Sequence, residues 1–348
     1  MNKETPDSSV ASQQWLELRS GVPGQGSFLV EHRRAYQVFD RPEPRPQMIL
    51  AVGGKEKREF LERGLGSTSH PPECGIALVP ISSIIVVDCE MHGAAALKRI
   101  RARPPAGDQT QHRLLLADNS RRHQIAQFAK DLYWQTLAPF TSSILLFCED
   151  LGGLIPVTRL LATWIRRSML DPIQCPPRIL IIHQEDADPD MAWFESRLLA
   201  KLKAMLQVLD PLTPATDSRA ATEYRAAFDK VQFLPINTPA GLLSQLDEAF
   251  DVRAGHGFAF HSRHLRNLLQ EAVSQIGRGM SRTFDFFHAS RLHNPVPADL
   301  GDRIADFVHA SRISGADQAA MIASALNFNA HPPGMHCEYA YSIGGEEV

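Results

Sequence analysis

Features that would settle a function at once are missing from this sequence. Five cysteines (Cys74, Cys89, Cys148, Cys175, Cys337) are scattered through 348 residues with no C-x-x-C spacing. Neither a disulfide framework nor a zinc ribbon is expected, and the default compartment is reducing and cytoplasmic. No stretch approaches the ~18 consecutive apolar residues of a membrane helix. The first 24 residues are polar and lack the apolar centre of a secretory signal. Neither sign of charge dominates: 36 Lys and Arg against 39 Asp and Glu give a net charge of −3. That leaves no general basic face for nucleic acid or a membrane surface. There is no G-x-S-x-G nucleophile elbow; Gly279 to Thr283 comes nearest but lacks the second glycine and follows no strand signal. H-E-x-x-H, an EF-hand loop and a full G-x-G-x-x-G after a strand are absent too.

The texture that remains is that of a layered α/β domain. Residues 1–46 are rich in Ser, Gln, Glu, Arg and Pro and end in the proline-studded segment Arg41 to Pro46, which suits neither a regular helix nor a central strand. They are expected to be a linker or disordered tail. From Gln47 onward short apolar runs recur: Met48–Val52, Ile76–Ile81, Ile84–Val87, Leu114–Leu116, Ile144–Phe147, Ile179–Ile182 and Val231–Leu234. Several are continuous rather than alternating, which fits strands buried on both faces of a largely parallel sheet. Helical patterns separate them at Glu56–Arg63, His123–Leu137, Ile155–Met169, Asp190–Leu209 and Ala240–Phe250, the last behind a Thr238-Pro239 cap. Strand and helix signals alternate, so residues 47–250 are expected to form an α/β domain with helices on both faces. Beyond residue 251 only helices are expected, at Leu265–Ile276, Leu300–Ala310 and Ala316–Leu326. Residues 331–348 are expected to be an irregular tail.

Two patterns bear on chemistry. The first strand ends in Gly53-Gly54-Lys55 and a charged helix follows. A phosphate loop needs G-x-x-x-x-G-K-[ST] at such a junction, so that backbone N–H groups wrap the phosphates and a hydroxyl holds Mg²⁺. Here Ile49 stands at the first position and Glu56 at the Ser/Thr position, and the loop is about four residues short. A carboxylate at that position repels phosphate by ~4 kcal/mol for unit charges ~4 Å apart at an effective dielectric of ~20. The alternative is a tight strand–helix turn with a solvated lysine. The second pattern is acidic strand ends: Asp88 and Glu90, Glu149 and Asp150, and Glu185, Asp186 and Asp188. On one sheet edge they could hold Mg²⁺; the competing expectation is that they begin turns and cap helices, Asp150 that of the helix near Leu154. His261 and His264 share a helix face without a third ligand, and Cys89 and Cys148 are expected to be small buried hydrophobes.

The string Ile85-Val86-Val87-Asp88-Cys89-Glu90 resembles a segment of large fungal multidomain proteins in which a dynamin- or GTPase-like P-loop domain precedes a patatin-like phospholipase domain. Leu145 to Leu154, with Leu160-Leu161-Ala162-Thr163-Trp164 after it, is similar to another stretch of the same proteins. Pro295 to Leu300 and Ala330 to His336 resemble their helical linker region. The likeness covers roughly residues 47–336.

The resemblance implies a P-loop GTPase-like architecture with a helical extension. It places Gly53, Gly54 and Lys55 in the phosphate loop and Asp88 on the metal. Met91 then stands where the glycine of D-x-x-G belongs. His183-Gln184-Glu185-Asp186 falls at the guanine-reading N-K-x-D, with Asp186 as the base-selecting carboxylate. Each motif is partly eroded and no catalytic residue is assigned. The function expected is a regulatory or scaffolding pseudo-GTPase that acts through protein partners, with no cofactor; GTP and Mg²⁺ enter only if the site still works. An atypical NTPase is the alternative, and so is a remnant of a patatin-type protein without its hydrolase domain, since the sequence departs from the family stretch after His336.

Overall fold

The computed structural model describes residues 13–20, 27–40, 45–65, 75–90, 107–114, 127–184, 191–209, 215–236, 239–279, 282–291, 297–312 and 314–330. Nine strands form one sheet: β1 (Gln13–Ser20), β2 (Ser27–His32), β3 (Gln47–Val52), β4 (Gly75–Ile81), β5 (Ile84–Cys89), β6 (Gln109–Leu114), β7 (Ser143–Phe147), β8 (Arg178–His183) and β9 (Val231–Pro235). Their order is β6-β2-β1-β4-β5-β3-β7-β8-β9. The strands from β5 through β3, β7 and β8 to β9 pair in parallel. The other half, β6-β2-β1-β4 and the β4–β5 hairpin, is antiparallel. The expected largely parallel sheet is therefore a mixed one.

The continuous apolar runs are the parallel strands, for the reason given: both faces are covered. Alternate residues of β3 join different cores. Met48, Leu50 and Val52 pack into one, beneath α2 (Leu154–Leu170), α3 (Met191–Leu209), α4 (Asp217–Ala227) and α6 (Ser262–Gly277). Ile49 and Ala51 face the other, with Phe60 and Leu61 of α1 (Lys55–Leu65) and Leu242 and Leu246 of α5 (Pro239–Gly255). Trp164 of α2 anchors the larger core. Its indole stacks on Trp134 at 5.3 Å between centroids, and its Nε1–H donates to the Lys130 carbonyl at 3.1 Å. Trp134 lies in Leu132–Leu137, where the helix expected up to Leu137 widens into a π-helical turn with every residue buried.

The antiparallel half corrects the expectation of a tail for residues 13–20 and 27–39, which form two strands and a 3-10 helix. β1 and β2 lie inside the sheet, between β4 and β6, and Trp15, Leu16 and Leu29 are fully buried. These strands are weak in the sequence because their polar residues are held by partners within the fold instead of facing water. Glu31 is buried and accepts from Tyr36 Oη–H at 2.6 Å; His112 of β6 lies 2.9 Å from its other oxygen. Burial alone would raise the Glu17 carboxyl, but His32, 3.7 Å away, and Arg19, which donates at 2.6 Å, override it and hold the group at about 2. β6 is likewise polar, Gln109 to Leu114, so only its last residue falls in the expected run at Leu114–Leu116; 115 and 116 lie outside the described residues.

Past α6 the described elements are α7 (Phe286–Arg291), α8 (Leu300–Ala310) and α9 (Gly315–Ala330), helical as expected. No residue of α8 is buried; α8 and α9 face each other across an apolar groove of about 300 Å³ lined by Ile304, Phe307, Met321 and Ile322. Residues 331–348 lie outside the described residues. Stability should therefore be carried by the sheet and its two cores. Trp164→Ala should cost about 3–5 kcal/mol in urea denaturation, whereas Asp302→Ala on α8 should stay within about 0.5 kcal/mol of the parent.

Candidate functional site

Chain order reverses at β3. From β3 the chain passes through α1 to β4 and β5 on one side, and later builds β7, β8 and β9 on the other. In open α/β sheets the crevice outside the carboxyl ends at such a switch point is where ligands bind. Gly53 and Gly54 leave β3 there, and the loop after β7 faces them.

α1 begins at Lys55, so its first N–H groups point into this crevice. They are met by a side chain from 96 residues away. Asp150 Oδ2 accepts from Gly54 N–H at 2.6 Å and Lys57 N–H at 2.9 Å, and Oδ1 accepts from Glu56 N–H at 3.1 Å. A carboxylate on three such donors is favoured by their partial positive charge and by direct, charge-assisted bonds. Asp150 thus caps α1 rather than the helix near Leu154. α2, which starts there, has Gly153 at its cap position and no side-chain cap. The turn that delivers Asp150 needs its glycines: Gly152 and Gly153 have φ of +88° and +97°. Gly53 is required for another reason. A Cβ there would lie 2.8 Å from Asp150 Oδ2 and from Phe147 Cβ.

Beneath the first turn of α1 lies a second ionic contact. The Lys57 side chain is fully buried, and its Nζ sits 2.5 Å from Asp88 Oδ1 and 3.5 Å from Glu90 Oε1 while donating to the Cys89 carbonyl at 3.0 Å. Asp88 is 1% exposed. Arg58 Nε reaches the same Glu90 oxygen at 3.2 Å. An ion pair taken this far from water is expensive to leave half-made.

The outer rim carries Glu56 and Glu149. Gln184 Nε2 donates to Glu56 Oε1 at 2.8 Å, and its backbone N–H points to Glu149 Oε1 at 3.5 Å. Burial, and then the charges of Glu149 and Asp150, hold the Glu56 carboxyl above the ordinary range against the opposing bond from Gln184. Burial also raises the thiols: Cys89 well above its usual range, Cys148 to about 12, and Cys175 in the same direction. These are not activated nucleophiles.

The structure thus brings together Gly53, Gly54 and Asp88, but not Lys55. The Lys55 side chain is 82% exposed and lies 3.6 Å from Glu59. The lysine at the site is Lys57. Its signal was present in the sequence: Lys57, Phe60 and Leu61 fall on one helical stripe, and all three are buried. Asp88 faces that ammonium. Asp186, with Glu185 and Asp188, lies outside the described residues. Among the described residues no group of three or more His, Cys, Asp and Glu is placed to hold a metal ion, and no helix is long and apolar enough to cross a membrane. Compared with protein-family models and with curated proteins, the chain matches none.

The buried pair predicts a double-mutant signature. Lys57→Met should lose about 3–5 kcal/mol in denaturant unfolding because Asp88 is left buried without its cation. Adding Asp88→Leu should recover a large part of that loss. Glu56 predicts a pH dependence. Its carboxyl is raised in the folded state, so its ionised form opposes folding: the penalty is absent below the ordinary carboxylate range and complete above the raised value. Glu56→Gln should therefore raise the thermal midpoint at about pH 8, and the gain should vanish towards about pH 4.

Proposed function

We propose that this chain is a GTPase-like scaffold that works without nucleotide, as a regulatory protein-contact module in the cytoplasm. One observation carries this reading: the charges that a nucleotide and its metal would bring to the switch point are supplied by the chain itself. The Asp150 carboxylate holds the α1 N–H groups, where a phosphate would sit. The Lys57 ammonium holds Asp88, where a divalent cation would sit. The residues present do not fit GTP and Mg²⁺. A phosphate oxygen about 4 Å from Asp150 would meet a repulsion of about 4 kcal/mol per unit charge at an effective dielectric near 20, and Glu56 and Glu149 add to it.

The strand order supports the GTPase-like part of the reading. Strands β5, β3, β7, β8 and β9 run in parallel, with β4 hairpinned antiparallel onto β5. That is the arrangement a P-loop GTPase core uses, and it sets Gly53-Gly54, Asp88 and the His183-Gln184 strand end along one edge. The apolar groove between α8 and α9 is consistent with work done through contacts rather than chemistry.

Calorimetric titration with GTP, GDP and ATP, with and without Mg²⁺, tests the reading. No binding is expected at millimolar ligand; micromolar, Mg²⁺-dependent binding, near −8 kcal/mol, would overturn it in favour of an NTPase. Asp150→Ala should lose about 1–2 kcal/mol of stability by uncapping α1. Sulfate should restore more stability to that variant than it adds to the parent, because an anion can then take the vacated place.

A further inference from the structure

Next to the sealed turn, on the α2 side, lies a cleft of about 500 Å³. Its base is apolar: Val52 at the end of β3, Tyr133 of the π-helical turn and Leu160 of α2 are all buried. Its charged lining is two cations and one carboxylate: Lys130, Arg159 and Asp150. The carboxylate is committed, since both its oxygens serve the N–H groups of α1. The cations are not. Neither the Lys130 nor the Arg159 side chain has an ion pair or hydrogen bond among the described residues, while Arg167, two turns further along α2, is fully engaged by Asp131.

We propose that this cleft binds a small amphipathic organic anion, with its apolar body on Val52, Tyr133 and Leu160 and its acidic head between Lys130 and Arg159. The volume falls in the range of small-molecule sites, roughly 300–1,000 Å³, and an apolar lining with a few convergent charges is their usual composition. The cleft also opens at the switch point, where an open α/β sheet offers ligands its carboxyl edge. Two free cations set against the nearby Asp150 carboxylate suit a single carboxylate, sulfonate or phosphate head and not a triphosphate. The site does not depend on the scaffold reading, because neither its two cations nor its apolar base belongs to the seat that Asp150 closes.

The test uses the full chain and two fluorescent probes of the same aromatic body: 8-anilinonaphthalene-1-sulfonate, and N-phenyl-1-naphthylamine, which lacks the sulfonate. The sulfonate should bind saturably at one site, at least about tenfold more tightly than the neutral amine, a difference of about 1.4 kcal/mol. Lys130→Glu with Arg159→Glu should weaken the sulfonate about tenfold or more while leaving far-UV circular dichroism and the amine's affinity unchanged. Leu160→Phe, which narrows the base, should weaken both probes. Non-saturable fluorescence, equal affinity for the two probes, or an unchanged sulfonate affinity in the charge-reversed variant would overturn the proposal.

Discussion

The contact of the Asp150 carboxylate with the first turn of α1 organises the centre of this molecule. It spans the switch point and ties the β3–α1 turn to the loop after β7. It also satisfies backbone donors that a strand running straight into a helix would leave pointing at a crevice. The neighbouring geometry follows from it. Gly53 must lack a Cβ so that Asp150 can approach, and Gly152 and Gly153 must adopt positive φ so that the loop can bring the carboxylate in. With the first turn of α1 held in that place, Lys57 is carried over Asp88, Cys89 and Glu90.

A carboxylate and an ammonium at these two positions leave a site electrostatically complete without a ligand. Catalytic centres are ordinarily built with the reverse property, charges poised for something that is absent in the resting state. Among the described residues, charges without an ionic partner lie further out, at Glu56 and Glu149 on the rim and at Lys130 and Arg159 in the adjoining cleft. The buried centre is closed by bonds within the chain, from Asp150 to α1 and from Lys57 to Asp88.

The parallel strands were legible because burial on both faces demands continuous Ile, Val and Leu, as in Ile144–Phe147 and Ile179–Ile182. β1, β2 and β6 were not, because Glu17 is bonded by Gln14 and Arg19 of its own strand and Glu31 by Tyr36 and His112, and all look solvent-exposed in isolation. At the site, the strand-end position of Asp88 and the close turn at Gly53 could be read directly. Asp150 could be recognised as a cap, but the nearest helix is not the one it serves; the one it serves lies 93 to 96 residues back. Lys55 drew attention through its resemblance to a motif, while helical spacing put Lys57 with Phe60 and Leu61 on the buried stripe.

By itself the sequence determined the alternation of strands and helices, the two-sided core and the helical C-terminal region, all of which rest on local periodicity. It also determined that G-x-x-x-x-G-K-[ST] is incomplete at Gly53-Gly54-Lys55, since residue identity at Ile49 and Glu56 needs no coordinates. Tertiary structure decided the antiparallel half of the sheet, the partner of each buried charge, and what occupies the end of α1. Those outcomes depend on residues far apart in the chain. A charge has no favourable environment of its own, only the one that a distant segment brings to it.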